Sequence, residues 1–397
     1  MSLPRTITAQ DMRSINRSAI LEIIRREGPV SRNTIADRLD VSLPTVMRVV
    51  DDLIKEDLVR PQSATQWTGG RRRALLEFNP EGQVVIGVDL GRTKMFGAIA
   101  DLAGNVLGEA DMSRHRTSGE KNFQRLTELI DTLLAHPKIK GRRIRGIGVG
   151  APGITRHKEG IVTWAYTLKW HDFPLKARLD ERYNLPIAVD NDVNFAALGE
   201  LWFGAEQNVS NMVFITIGTG IGAGIIIDGA LYRGAHEASG EIGGMLPDRQ
   251  FLGKRYEEFG VLETIASGTG IAERARQALK GRRKSEELEQ LLAEDVFDAA
   301  RQGQTWAKKL IDETVDCLAV AIANLTVTFD PELIVLGGGV TRSADLLIEP
   351  ILCRIDGVIP ALPRLVVSSL ERRAVVMGAV TNVLHNTSDF FMVRKLS

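Results

Sequence analysis

Three apolar runs in this chain each end directly in a glycine turn: "QVVIGVDLG" from Gln83, "MVFITIGTGIGAG" from Met212 and "ELIVLGGG" from Glu332. Short apolar runs bounded by glycine read as strands covered on both faces. The glycines that follow leave backbone N–H groups open to an anion and permit close approach of a ligand. The first run continues through a second strand and the turn "DLAGNV" into a third, and the second repeats the plan, with its returning strand placed at Ile225 to Ile227. Neither turn fits G-x-x-x-x-G-K-[ST], and no crossover helix follows at once, so the P-loop and dinucleotide-binding readings fail. An α/β protein with strands in hairpin order beside a cleft remains.

In such a cleft Asp89, at a strand end, suits a magnesium ion or its water, while Gly91 and Thr93 bring backbone near a phosphate. Taken alone, "GVDLGRTK" equally fits a hairpin with an aspartate cap. Gly218, Thr219 and Gly220 form the second phosphate-facing turn, and Gly338 and Gly339 a third, suited to a nucleoside. With 397 residues, 44% of them hydrophobic, the chain can divide into two or three domains. The cysteines, Cys317 and Cys353, offer neither a disulfide framework nor a four-thiolate metal site, which fits a reducing cytoplasm. No apolar run reaches the roughly 20 residues of a membrane helix, and no membrane partner is expected.

Residues 1–80 carry 13 Lys and Arg against 10 Asp and Glu, and the remainder has the opposite excess of three. Within this segment Ile15, Ala19, Ile20, Ile23 and Ile24 recur at helical spacing until Gly28 and Pro29. Ser31 is placed to cap a second helix, and Ser42 a third with Pro44 in its first turn. Val46, Val49, Val50 and Leu53 share one face of that third helix, with Arg48 opposite and Thr45 and Met47 beside it. Strand-like "DLVRPQ" and "RRALLEFN" follow around a basic tip of Arg71, Arg72 and Arg73. The order is that of a winged helix-turn-helix, which reads DNA through its third helix. Ser42, Thr45 and Arg48 are the expected contacts to operator DNA, with Arg71, Arg72 and Arg73 on the backbone. A three-helix unit serving protein contacts is the plainer alternative.

The segments "GVDLGRTK", "GVGAPG", "VDNDVNFAALGE", "IGTGIGAGI", "SGEIGG", "LETIASG" and "DPELIVLGGGV", in this order behind a winged helix, resemble the ROK family of sugar-responsive repressors and sugar kinases. The resemblance runs from about Arg13 to about Leu384. It implies a two-lobed actin/hexokinase-like (ribonuclease H-like) domain with a sugar cleft between α/β lobes. The expected division is 1–80 for the DNA-binding head, 81–200 for the first lobe, completed by about 376–397, and 201–375 for the second. By the same resemblance Asn191, Asp192, Glu241, Glu263, Gly153 and Thr167 face the sugar. Carboxylates and amides suit this task, since each makes two hydrogen bonds to paired hydroxyls. Asp192 would be the catalytic base if the protein were a kinase, with ATP and magnesium as cofactors. Without the resemblance, Asp192 reads first as the cap of the helix "VNFAALGELWF".

The chain departs from the family where relatives carry a structural zinc. The four ligand positions hold Gly244, Lys254, Tyr256 and Val261, none a credible ligand, so zinc is expected to be absent and no metal or other cofactor is required. Phe251, Leu252, Tyr256, Phe259 and Val261 are expected to form an apolar plug instead. Arg92 replaces a glycine in the first phosphate turn and could offer its guanidinium to a phosphate. Together these features imply a sugar-responsive DNA-binding regulator of carbohydrate use, acting as a repressor on operator DNA with a sugar or sugar-phosphate effector. A homodimer or dimer of dimers is the expected assembly, and an ATP-dependent sugar kinase with a DNA-binding head is the alternative.

Overall fold

The computed structural model describes residues 9–62, 74–92, 94–113, 118–206, 209–254, 260–282 and 284–387. The head comprises α1 (Ala9–Glu27), α2 (Arg32–Leu39) and α3 (Leu43–Lys55), then the antiparallel pair β1 (Val59–Gln62) and β2 (Leu75–Phe78). Ser31 caps α2, its hydroxyl accepting the Thr34 N–H at 3.2 Å. Ser42 stands at the start of α3 as expected, yet its hydroxyl pairs with that of Thr45 at 2.8 Å and caps no backbone N–H. Val46, Val49, Val50 and Leu53 are buried together, as their spacing requires. Helix α1 starts at Ala9, earlier than expected, and Ile15 is exposed; the stripe that packs is Ile20, Leu21 and Ile24.

The first lobe is a five-stranded sheet. Strands β3 (Gln83–Asp89), β4 (Lys94–Asp101) and β5 (Val106–Ser113) form an antiparallel meander, and α4 (Gly119–Leu134) covers it. Strand β6 (Arg143–Ala151) then runs parallel to β3. A small sheet of β7 (Ile154–Arg156), β8 (Ile161–Ala165) and β9 (Trp170–Phe173), followed by α5 (Leu175–Arg182), leads to β10 (Ile187–Asn191), parallel to β6. Helix α6 (Asp192–Phe203) opens the way to the second lobe, whose meander is β11 (Met212–Ile217), β12 (Ile221–Ile227) and β13 (Ala230–Tyr232). Helices α7 (Val261–Ala266), α8 (Gly268–Leu279), α9 (Ser285–Glu289), α10 (Ala293–Arg301) and α11 (Thr305–Phe329) precede β14 (Leu333–Gly337). After α12 (Ile348–Ile355), β15 (Leu365–Val367) closes the sheet, and α13 (Ala374–Thr387) returns to the first lobe.

The two sheets have one plan, β10-β6-β3-β4-β5 and β15-β14-β11-β12-β13, each with three antiparallel and two parallel strands. The repeated strand and glycine patterns in the sequence are the trace of this duplication. One expectation is corrected: the returning strand begins at Ile221, so Gly222 and Gly224 lie in the ladder opposite Thr216 and Phe214. Gly224 is there for helix packing, since a Cβ on it would stand 2.4 Å from that of Ala197 on α6. No described helix is long and apolar enough to cross a membrane.

The head is not tethered by a free linker. Its core is continuous with Val85, Ala100 and Leu102 of the first sheet region and with Val380, Val383 and Leu384 of α13. Polar contacts reinforce the junction: Gln83 Nε2 donates to the Glu56 carbonyl, and Arg145 of β6 stands 3.9 Å from the Glu56 carboxylate, which also pairs with Arg17 of α1 at 2.6 Å. Head and first lobe therefore share one apolar core. We predict that Leu102→Ala, at this junction, costs about 2–5 kcal/mol and lowers the unfolding midpoints of head and first lobe together. Separate transitions in urea, with the head's unchanged, would contradict a shared core.

Candidate functional site in the interlobe cleft

Strand β10 ends at Asn191, which caps α6. Its Oδ1 accepts the N–H groups of Val193 at 2.8 Å and Asn194 at 3.1 Å, while its Nδ2 donates to the Gly153 carbonyl at 2.9 Å. The cap expected of Asp192 thus falls one residue earlier. Asp192 becomes the first helical residue, with Oδ1 2.9 Å from the Val193 N–H, and its carboxyl lines the cleft. Gly153 is fixed by geometry as well, with φ at 89° and a would-be Cβ 2.0 Å from the Trp164 carbonyl oxygen.

Four carboxyl groups converge here. Asp89 ends β3, Asp192 starts α6, Glu241 follows β13 and Glu263 sits in α7; all four line a cavity of ≈ 260 Å³ between the lobes, together with Gly91, Gly153, Asn191, Gly218, Thr219, Gly220 and Gly338. Burial, and then the charge of Asp192, raises the Asp89 carboxyl well above the usual range, and its Oδ1 is buried with no hydrogen-bond partner. Burial also raises Asp192, against the pull of the Arg92 charge. Glu241 is pushed up to about 7 by desolvation, then by Asp192 and Glu263, although its exposure to cleft water opposes that shift. A neighbouring cavity of ≈ 850 Å³ shares Asp89, Gly91, Gly218 and Thr219, and adds Gly339, Arg276 and Arg342.

Arg92 does not point away to await a phosphate. Its Nη1 donates to Glu263 Oε1 at 2.8 Å, linking the β3–β4 turn of the first lobe to α7 of the second. The other Glu263 oxygen accepts the Ile221 N–H at 3.1 Å. The guanidinium lies over the second glycine turn, where a Cβ on Gly220 would be 2.4 Å from Arg92 Nη2. A phosphate approaching that backbone would meet the guanidinium first.

Other expected residues fall elsewhere or beyond view. Thr167 is not among the residues that line the ≈ 260 Å³ cavity: it is half-buried in a 3-10 turn, Tyr166–Leu168, whose last carbonyl accepts from Asn122 at 3.0 Å. Thr93, Arg71, Arg72, Arg73, Tyr256 and Phe259 lie outside the described residues. On α3, Ser42 and Arg48 are exposed, Thr45 is half-buried and Met47 is exposed beside them. The expected apolar plug is corrected at Leu252, which is 67% exposed; Phe251 is half-buried beneath Lys254, 5.1 Å from its ring, and Val261 is buried. The loop is instead pinched where Gly260 meets Gly243, so closely that a Cβ on Gly260 would stand 2.1 Å from the Gly243 oxygen.

Sequence reasoning missed a second tie between the lobes. Arg233, after β13, donates to Asp190 of β10 at 2.6 Å, and His157 Nδ1 lies at hydrogen-bonding distance, 2.8 Å, from the Glu237 carboxylate, which accepts from the Nδ1–H tautomer of the ring. No local spacing pairs residues that far apart. Asp190 lies inside "VDNDVN", and a carboxylate at the end of the short apolar run Ile187–Val189 was the one available signal; the structure buries it.

The sequence pattern of the ROK family matches residues 85–385, and a winged helix-turn-helix DNA-binding pattern matches residues 13–60. A xylose repressor of Caldicellulosiruptor bescii is 32% identical over 394 residues, covering 96% of this chain and 98% of its own. A glucokinase of Halalkalibacterium halodurans is 36% identical over 312 residues, covering 75% of this chain and 92% of its own. Among solved structures, a ROK family transcriptional regulator, a homolog of the E. coli MLC protein, superposes with a TM-score of 0.82 at 27% identity, covering 96% of this chain and 98% of that one. The repressor and the regulator align with head and lobes together, whereas the glucokinase aligns with three quarters of the chain. The chain belongs to the ROK family and carries a winged helix-turn-helix DNA-binding head.

Proposed function

We propose that the protein is a transcriptional repressor whose hold on operator DNA responds to a neutral aldose bound between the lobes. One observation carries this reading: a DNA-binding head shares its core with a lobe whose cleft gathers Asn191, Asp192, Glu241 and Glu263. Hydroxyl groups can donate to these carboxylates, whereas a sugar phosphate would bring like charge into an acidic cleft, so the neutral sugar is favoured. The xylose repressor and glucokinase among the relatives make D-xylose and D-glucose the first candidates. The glycine turns and Asp89 could hold nucleotide and magnesium, but Arg92 over Gly220 counts against phosphoryl transfer. The loop from Gly243 to Gly260 needs no zinc, since neither Gly244 nor Val261 offers a ligating side chain.

Sugar must favour one lobe arrangement to change operator affinity; a difference of about 1–3 kcal/mol changes it by roughly 5- to 150-fold. Operators with two-fold symmetry call for two heads, supplied by a homodimer or a dimer of dimers. Thermal-shift screening of D-xylose, D-glucose and their phosphates, with gel-shift assays on the protein's own promoter, tests the whole reading. No stabilisation by any aldose and no salt-sensitive DNA binding would end it.

Three outcomes are expected. Arg48→Ala weakens operator binding by about 1–3 kcal/mol if the guanidinium reads a base, or flattens the log–log salt slope by about one if it meets a phosphate; a variant that shows neither effect excludes Arg48 from the interface. Aldose affinity falls as pH drops through about 7, because protonated Glu241 accepts hydroxyl donors poorly. In titrations from pH 6 to 8 Glu241→Gln binds weakly with a flat profile, and a flat wild-type profile would exclude Glu241 from the contact. Elemental analysis of the purified protein finds zinc far below one ion per chain; stoichiometric zinc would refute the metal-free loop.

A further inference from the structure

We infer that Arg92 is an interlobe latch that competes with the effector for Glu263, so that sugar binding and release of the lobes from one another are a single event. The inference rests on the aldose reading of the cleft above. Glu263 belongs to the second lobe and Arg92 to the first, and their 2.8 Å contact crosses the cavity in which the sugar is expected to sit. Both oxygens of Glu263 are engaged by protein groups, one by Arg92 and one by the Ile221 N–H. The backbone contact lies within the second lobe and ties nothing across the cleft. The guanidinium contact is the one a sugar hydroxyl would replace.

The surroundings favour such an exchange. The Glu263 carboxylate is buried, with 8% of its side chain exposed, so an oxygen that loses Arg92 must gain another donor. A sugar hydroxyl can supply that donor, and the guanidinium, 27% exposed, retains a route to water and to the nearby charge of Asp192. Arg233 with Asp190, His157 with Glu237, and Arg372 and Arg373 with Glu109 and Asp111 hold the lobes at separate points outside this exchange. Once the Arg92 tie is lost, the lobes can change their relation about these remaining ties. Head and first lobe, joined by a common core, would move as one body.

A latch and a plain sugar contact predict opposite signs. If Arg92 competes with sugar, Arg92→Ala leaves Glu263 short of a donor until sugar arrives, so aldose affinity rises about tenfold while the ratio of operator affinities with and without sugar falls toward one. Arg92→Lys, which keeps the charge, restores most of that ratio. The experiment uses the full chain, with D-glucose and D-xylose measured by calorimetry and promoter DNA by fluorescence anisotropy in the presence and absence of each sugar. Weaker sugar binding by Arg92→Ala, or an unchanged operator ratio, overturns the latch. Should Arg92→Ala fail to fold, Arg92→Met carries the same test, since it removes the charge and the donors and keeps most of the bulk. A wild-type protein that binds neither aldose overturns the aldose reading and the latch with it, whereas a responsive wild type with weakened variants overturns the latch alone.

Discussion

The Arg92–Glu263 ion pair stands among four carboxyl groups drawn from four separate elements, two in each lobe. Without a cation, Asp89, Asp192, Glu241 and Glu263 would oppose closure of the cleft, either by repulsion or by the cost of burying each charge. The effect is visible in the raised carboxyls of Asp89, Asp192 and Glu241, and Arg92 lowers two of these three. Arg92 at this turn therefore does two things. It crowds the backbone of the second glycine turn, and it supplies charge that lets the lobes approach.

Much of this was legible in the sequence because the informative residues are local. Strands β3, β11 and β14 announce themselves as apolar runs, and their glycines mark the cleft. Asp89, Asn191 and Asp192 fall at strand or helix ends, and all three line the cleft. The head was legible for a similar reason: Val46, Val49, Val50 and Leu53 can share a face only on a helix. Errors arose where two distant segments meet. Gly222 and Gly224 look like turn residues until Ala197 of α6 is laid across them. Leu252 looks like core until its loop is seen pinched by Gly243 and Gly260. The partner of Arg92 lies 171 positions away, and no periodicity could have chosen Glu263 over a phosphate.

The cleft also shows how one scaffold can serve chemistry or sensing. Asp192 and the glycine turns line one cavity, and a larger one opens beside them. A base needs an oriented hydroxyl and an open path for the phosphoryl group. Here the helix that presents Asp192 is well capped by Asn191, so orientation is preserved. The path over Gly220 is the part that Arg92 narrows. Sensing asks less, only that the bound and free states differ in which groups satisfy Glu263.

The shared core of head, first sheet and C-terminal helix has a bearing on how such proteins can diversify. A DNA-binding module on a loose tether can be exchanged as a cassette, since nothing beyond the tether must fit. This one cannot. A head transplanted from a relative would have to match the outward faces of Val85, Ala100 and Leu102 and of Val380, Val383 and Leu384, which are encoded at the far end of the chain. Surface change on α3 and change in the cleft leave this core untouched, whereas the seam between head and lobe resists recombination.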